Sequence, residues 1–128
     1  IQGLKDVARS DPGLQGNSNV ARRIAEVEVD LMALEFTNLR ALERAQEGKP
    51  PGPESSGLKI KGTELQQALS ELMVEMGGPS AMPWKAEAIG QQAYAGATAG
   101  YNIGRASTIY GGTNEIQKNV LAKFVLGL

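Results

Sequence analysis

From Val20 onward the apolar side chains recur at alternating steps of four and three, at Val20, Ile24, Val27, Leu31 and Leu34, with Leu39 and Leu42 extending the series. That spacing lays them along one stripe of an α-helix, the face a helix buries. Ser18 or Asn19, each able to accept from the first unpaired amides, is the expected cap. A helix from Ser18 to about Glu47 would be on the order of 45 Å long, enough for one arm of an antiparallel bundle. Its polar face, with Arg22, Arg23, Glu26, Asp30, Arg40 and Glu43, is expected to meet solvent or a partner. The following Gly48-Lys49-Pro50-Pro51-Gly52-Pro53 cannot continue a helix, because each proline lacks an amide donor and restrains the residue before it.

A second helix is predicted to begin near Ser55 or Ser56, to carry Leu58, Leu65, Leu69, Leu72 and Met76 on one side, and to stop at Gly77-Gly78-Pro79. Gly62 is a costly interior residue there. A third is predicted over Trp84 to Ile109, where Gly96, Gly100 and Gly104 share one helical face and point to close backbone packing. Each interior glycine costs about 1 kcal/mol relative to alanine unless packing compensates. A last helix starts at Thr113 and bears Ile116, Val120, Leu121, Phe124 and Val125. Upstream, Asp11-Pro12-Gly13 reads as a turn, and Ile1 to Ala8 as the tail of an earlier helix. No segment reads as a strand, so the expected fold is all-α, an antiparallel up-and-down helical bundle.

Composition narrows the chemistry. The 128 residues suit one domain covering 1–128, which should bury roughly two-thirds of the surface its unfolded chain exposes. Thirteen basic against 14 acidic side chains give a formal net charge of -1, with no footprint for nucleic acid. Cysteine and histidine are both absent, which removes disulfides, Cys nucleophiles, Ser-His relays and ordinary zinc sites. A ferritin-like metal bundle fails for the same reason, since its sites pair Glu with His. Proton chemistry is left to Asp, Glu, Lys or Tyr. No apolar run approaches the roughly 18 residues of a membrane span, and no signal segment opens the chain, so a reducing, cytoplasmic compartment is expected. The start at Ile1 reads as a fragment of a longer polypeptide, or else as a processed or tagged chain.

The most informative segment is Arg105-Ala-Ser-Thr-Ile-Tyr110-Gly111-Gly112-Thr113-Asn114-Glu115-Ile116-Gln117-Lys118-Asn119-Val120. Two glycines before a threonine form an open turn at a helix N-terminus, where free amides and the helix dipole suit an anion such as a cofactor diphosphate. Thr113 can cap that helix, and Glu115 in its first turn is favoured by the dipole. An ordinary helix-Gly-Gly-helix corner accounts for the same residues without any ligand. Arg105 reads as a surface ion pair or a phosphate contact, Tyr94, Tyr101 and Tyr110 as packed rings or hydrogen-bond donors in a pocket, and Trp84 as a loop anchor.

The run from Ile109 to Gln117, followed by an apolar helix ending Val125-Leu126-Gly127-Leu128, resembles the C-terminal signature of the acyl-CoA dehydrogenase family. A looser resemblance reaches back to about Asp11 through the long helix, the Pro-rich loop, Ser55-Ser56 before Leu58-Lys59, and Glu75-Met76-Gly77-Gly78. The resemblance implies a flavoprotein that desaturates an acyl-CoA thioester between its α and β carbons in fatty acid metabolism. This chain would be its C-terminal bundle, without the N-terminal helical and β-barrel domains, and alone it is expected to be inactive and not to retain flavin. FAD is the implied cofactor, touched by Thr113, Asn114 and Glu115, while Gly77-Gly78 would approach a cofactor held mainly by a neighbouring subunit. Val74 stands where that second motif usually has Gln. Tyr110, Gly111 and Gly112 would border the acyl-CoA substrate. The implied partners are electron-transfer flavoprotein or a similar acceptor and further subunits in a dimer or tetramer, with no nucleic acid and no membrane insertion.

One departure bears on the chemistry. In many members of that family the carboxylate that removes the α proton directly follows the motif's tyrosine; here Gly111 follows Tyr110. The base would then lie on the preceding helix, upstream of Ile1, or in a paired subunit, with Glu115 a weaker third choice because its place at the dipole already accounts for it. A glycine at 111 would also leave room for branched or bulky acyl groups. The alternative function is a non-catalytic helical assembly module that keeps the fold.

Overall fold

The computed structural model describes residues 1–50, 52–84 and 89–128. Among them are five α-helices, α1 (Gln2–Ser10), α2 (Ser18–Gln46), α3 (Glu54–Gly77), α4 (Ala97–Gly104) and α5 (Asn114–Leu121), joined by short 3-10 turns, and no strand. The bundle class expected from the periodicity is the one observed. Helix α2 begins where expected, but its cap is Asn17, not Ser18 or Asn19: the Asn17 side chain accepts from the amides of Asn19 and Val20. One residue of displacement is what a cap requires, since the capping side chain must stand outside the helix to reach back to its second and third amides.

Helix α3 is the hub, packed by α2, α4 and α5 on different sides. Its antiparallel course against α2 is fixed at both ends by ion pairs, Arg23 with Glu75 and Arg44 with Glu54 at 3.5 Å. Arg23, expected on the outward polar face, therefore belongs to the α2–α3 seam. The largest buried cluster joins Leu4 of α1, Ile24 of α2, Leu72 and Met76 of α3, Ala81 and Tyr94. Leu72 and Tyr94 are almost wholly removed from water, each removal contributing on the order of 2 kcal/mol. Tyr94 closes this end by donating its hydroxyl to Asp11 Oδ2 at 2.6 Å, and Asp11 Oδ1 accepts from the Gly13 amide at 2.8 Å, so the Asp-Pro-Gly turn is tied to the core.

Three expectations are corrected. Leu39 and Leu42 do not extend the buried stripe of α2; they are 58% and 51% exposed, because α3 covers only the side marked by Ile24 and Val27. The helix expected over Trp84 to Ile109 is not continuous: residues 85–88 lie outside the described residues, and beyond them come a 3-10 turn at Gln92–Tyr94, the eight-residue α4 and a second 3-10 turn at Arg105–Thr108. Gly96 caps α4 with φ +76, a left-handed conformation that ends any helix entering it. Close backbone packing does not explain the glycine spacing either, since a Cβ at Gly100 would meet open space and one at Gly104 only the Ser70 hydroxyl at 3.7 Å. Trp84, read as a loop anchor, is 61% exposed.

Candidate functional site at the α5 corner

The segment leading to α5 is built by conformations that glycine alone adopts without strain. Gly111 and Gly112 have φ +67 and +89, which turns the chain sharply between the 3-10 turn and α5. Thr113 then caps the helix, its Oγ1 accepting from the Ile116 amide at 3.3 Å. The Glu115 backbone amide, then the Thr113 hydroxyl, hold the Glu115 carboxyl below the usual carboxylate range. Among the described residues the amides of Gly111, Gly112, Thr113 and Asn114 donate to no acceptor. Tyr110 beside them is 62% exposed and Ile109 64%. The corner thus leaves several amides without acceptors at a positive helix end, beside the exposed Ile109 and Tyr110.

The expected cofactor residues divide by direction. Asn114 turns inward and is buried; its Oδ1 accepts from Lys59 Nζ at 2.8 Å and from Thr63 Oγ1 at 3.2 Å. That side chain is consumed in locking the corner to α3, so Asn114 can offer a ligand only its backbone amide. Thr113 Oγ1, Gly111 and Gly112 remain at the open side. A Cβ at Gly111 would meet nothing within 4 Å, whereas one at Gly112 would come within 2.6 Å of Gln117 Nε2, so the Gln117 side chain lies across Gly112.

Gly77 and Gly78 sit at the other end of α3. From Thr63, which holds the corner, to Gly77 is about 21 Å along the helix axis. Gly77 is buried, and a Cβ there would lie 2.6 Å from the Tyr94 ring and 2.8 Å from Ala81 Cβ, so its lack of a side chain serves the core. Gly78, at φ +47, has open space around its Cα and ends α3. The two groups of residues assigned to FAD by resemblance are therefore not brought together within one chain.

Sequence reading missed the residues that hold the corner. Lys59 and Thr63 lie four apart on one face of α3, the one available signal, but nothing local marks them as partners of a residue 55 positions away. Gln67 continues the same face, its Nε2 donating to the carbonyls of Gly104 and Arg105 at 3.4 and 3.3 Å. Arg105 returns a bond from Nη2 to the Gln67 carbonyl at 3.1 Å and stacks 4.2 Å over the Tyr101 ring. The ion pair expected of Arg105 is not formed among the described residues.

A cavity of about 640 Å³ lies elsewhere, between α1 and α2, lined by Leu14, Val20 and Ile24 together with Lys5 and Glu28. No group of three or more acidic side chains among the described residues is arranged to hold a metal, and none of the described helices is long and apolar enough to cross a membrane.

A comparison with curated proteins and one with solved structures each returned no match. A family model described as acyl-CoA dehydrogenase, C-terminal domain, matches residues 7–126. With a match over nearly its whole length and the all-helical bundle that such a domain requires, the chain belongs to the acyl-CoA dehydrogenase family.

Proposed function

We propose that the chain forms the C-terminal helical wall of an FAD-dependent enzyme that introduces an α,β double bond into an acyl-CoA thioester. The carrying observation is the α5 corner, whose amides from Gly111 to Asn114 have no acceptor among the described residues while Lys59 and Thr63 bond the Asn114 side chain. Such donors at a helix N-terminus fit the polar edge or diphosphate of a dinucleotide, and the space at Gly111 is open. Residues Thr113, Asn114 (through its amide) and Glu115 would hold FAD at this end, and Gly78 would approach a second cofactor belonging to a neighbouring subunit. The separation of about 21 Å between Thr63 and Gly77 along α3 supports two different cofactors over one. The chemistry supplied by FAD, when bound, is acceptance of a hydride from the acyl β carbon.

What this chain contributes is enclosure. Tyr110, Gly111 and Gly112 would border the thioester, and the open space at Gly111 leaves room for branched acyl groups. The α proton goes to a carboxylate outside this corner, on the helix preceding the bundle or in a paired subunit. Glu115 suits that task poorly, because the hydrogen bonds that cap α5 favour its ionised form and lower its basicity. Electron-transfer flavoprotein or a similar carrier would reoxidise the cofactor, and the bundle would help to assemble a dimer or tetramer.

A second reading, an assembly subunit without chemistry, draws on Gly111 standing where a base is often found. The visible spectrum of the protein that carries this chain separates the two. A bound flavin bleached by acyl-CoA supports the enzyme; a colourless protein inert toward acyl-CoA overturns it. Turnover compared between straight and branched acyl-CoA esters tests the substrate, and a strict preference for short straight chains argues against the room at Gly111 being used.

A further inference from the structure

Lys59 stands where helix electrostatics alone would not put a cation. Its Nζ donates to Asn114 Oδ1 at 2.8 Å, and Asn114 is the first residue of α5. The ammonium is therefore held at the positive end of a helix, where the macrodipole favours an anion. It is half-buried and forms no ion pair among the described residues. The Glu115 carboxyl feels this charge least, after its own amide, the Thr113 hydroxyl, desolvation and Lys118. An uncompensated positive charge thus remains at the corner whose amides from Gly111 to Asn114 lack acceptors among the described residues.

The identity of the acceptor sharpens the point. An aspartate at 114 would take the same bonds from Lys59 and Thr63, pair with the ammonium and suit the first turn of α5. Asparagine locks the corner to α3 and leaves the charge standing. A local rule broken where a better-compensated residue would fit is expected at a binding site. The neighbouring cations do not share the task. Lys118 lies in the last turn of α5, where the dipole favours it, and Arg105 is engaged by the Gln67 carbonyl and the Tyr101 ring.

We propose that Lys59 is a positioning residue for an anionic ligand at the α5 corner: acting through Asn114, it supplies the positive charge that balances the negative charge of the dinucleotide bound there. The inference rests on the FAD reading above and deepens it. Two parts of FAD carry such charge, the diphosphate always and the flavin ring once reduced. Either would meet the corner amides in the field of the ammonium, which its half-buried place screens less than open solvent would. With no carboxylate of its own chain paired to it, Lys59 takes the ligand as its counterion.

Flavin titration and potentiometry of the protein that carries this chain test it. Lys59→Met removes the charge and keeps an apolar stem. We expect its dissociation constant for oxidised FAD to rise about tenfold, or its midpoint potential to fall by about 30 mV, the same factor for a two-electron couple. The first result assigns the charge to the diphosphate, the second to the reduced ring. Lys59→Arg should keep both values close to those of the unaltered protein. Asn114→Asp cancels the charge and keeps the lock, so it should match Lys59→Met in affinity or potential while its thermal midpoint without flavin is no lower than that of the unaltered protein. A role confined to holding the fold would move stability and leave affinity and potential alone, and that result overturns the proposal. A loss in Lys59→Met that Asn114→Asp does not reproduce is a packing effect and overturns it as well. Should Lys59→Met fail to fold, Asn114→Asp decides. A colourless unaltered protein defeats the FAD reading and this inference together, whereas a flavin-bearing protein indifferent to both substitutions defeats this inference alone.

Discussion

Tyr94 and Asp11, separated by 83 positions in the chain, meet through a hydrogen bond of 2.6 Å that closes one end of the bundle. Both are buried, and Asp11 also holds the Gly13 amide. Burial first, and then the neighbouring carboxylate, push the Tyr94 hydroxyl well above its ordinary range, so it remains a donor at any pH where the protein is handled. Tyr94→Phe removes the donor and leaves the carboxylate under-satisfied. The expected loss is about 1–3 kcal/mol, read as a lower midpoint in urea at unchanged slope.

The same contact sets an acid limit. The Tyr94 hydroxyl, followed by the Gln91 side chain, holds the Asp11 carboxyl below its ordinary range. With the folded value depressed below the unfolded one, the stabilisation is present above the unfolded value, roughly pH 4, and is lost as pH falls through the folded value. Thermal unfolding followed from pH 6 downward should show stability falling in that acid window, and Asp11→Asn should flatten part of the fall. An unchanged acid limb in Asp11→Asn would remove this residue from the account.

Gly77 and Gly78 predict different costs for the same change. Gly77→Ala pushes a Cβ to within 2.6 Å of the Tyr94 ring, so the core must shift, and about 1–3 kcal/mol of stability should be lost. Gly78→Ala meets no neighbour and bears only the strain of its positive φ, about 1–2 kcal/mol. Unfolding of both variants without cofactor measures this directly. If neither loses stability in the absence of flavin, the case that Gly77 serves the core fails.

How far the sequence carries depends on the range of the interaction involved. Helix α2 was legible almost to the residue because its limits are local: a polar cap at one end and Gly48 with the prolines at the other. The segment from Trp84 to Ile109 was not, because equally spaced glycines read as one packed face although Gly96 adopts a left-handed conformation that interrupts the helix. Leu39 reads in sequence as an extension of the buried stripe of α2, but it comes five residues after Leu34, a step that carries it off that side. At the candidate site the turn and the Thr113 cap were legible, whereas the inward turn of Asn114 depends on Lys59 and Thr63, which only the tertiary fold brings near.

That inward turn has a measurable consequence. Asn114→Ala leaves the half-buried Lys59 ammonium and the Thr63 hydroxyl without their acceptor, and should cost about 1–3 kcal/mol. Thr113→Ala removes a single cap and should cost about 1 kcal/mol, with Thr113→Ser nearly neutral. Should Asn114→Ala prove as mild as Thr113→Ser, the corner is not held by α3.

Glu115 offers the sharpest separation of a structural from a chemical carboxylate. Its own amide and the Thr113 hydroxyl keep it ionised and occupied at the first turn of α5, which is the work of a cap. A proton-abstracting base must instead be free to gain a proton, and its loss removes turnover by orders of magnitude. Glu115→Gln retains the side-chain length and an acceptor oxygen, so α5 should keep most of its cap and acyl-CoA should still bleach the flavin at a rate within a few-fold of the unaltered protein. The depressed carboxyl also predicts that α5 loses this support only as pH falls below the ordinary range of a glutamate, roughly pH 4. A collapse of flavin reduction in Glu115→Gln, with the fold intact by circular dichroism, would instead make Glu115 the base and move the chemistry into this chain.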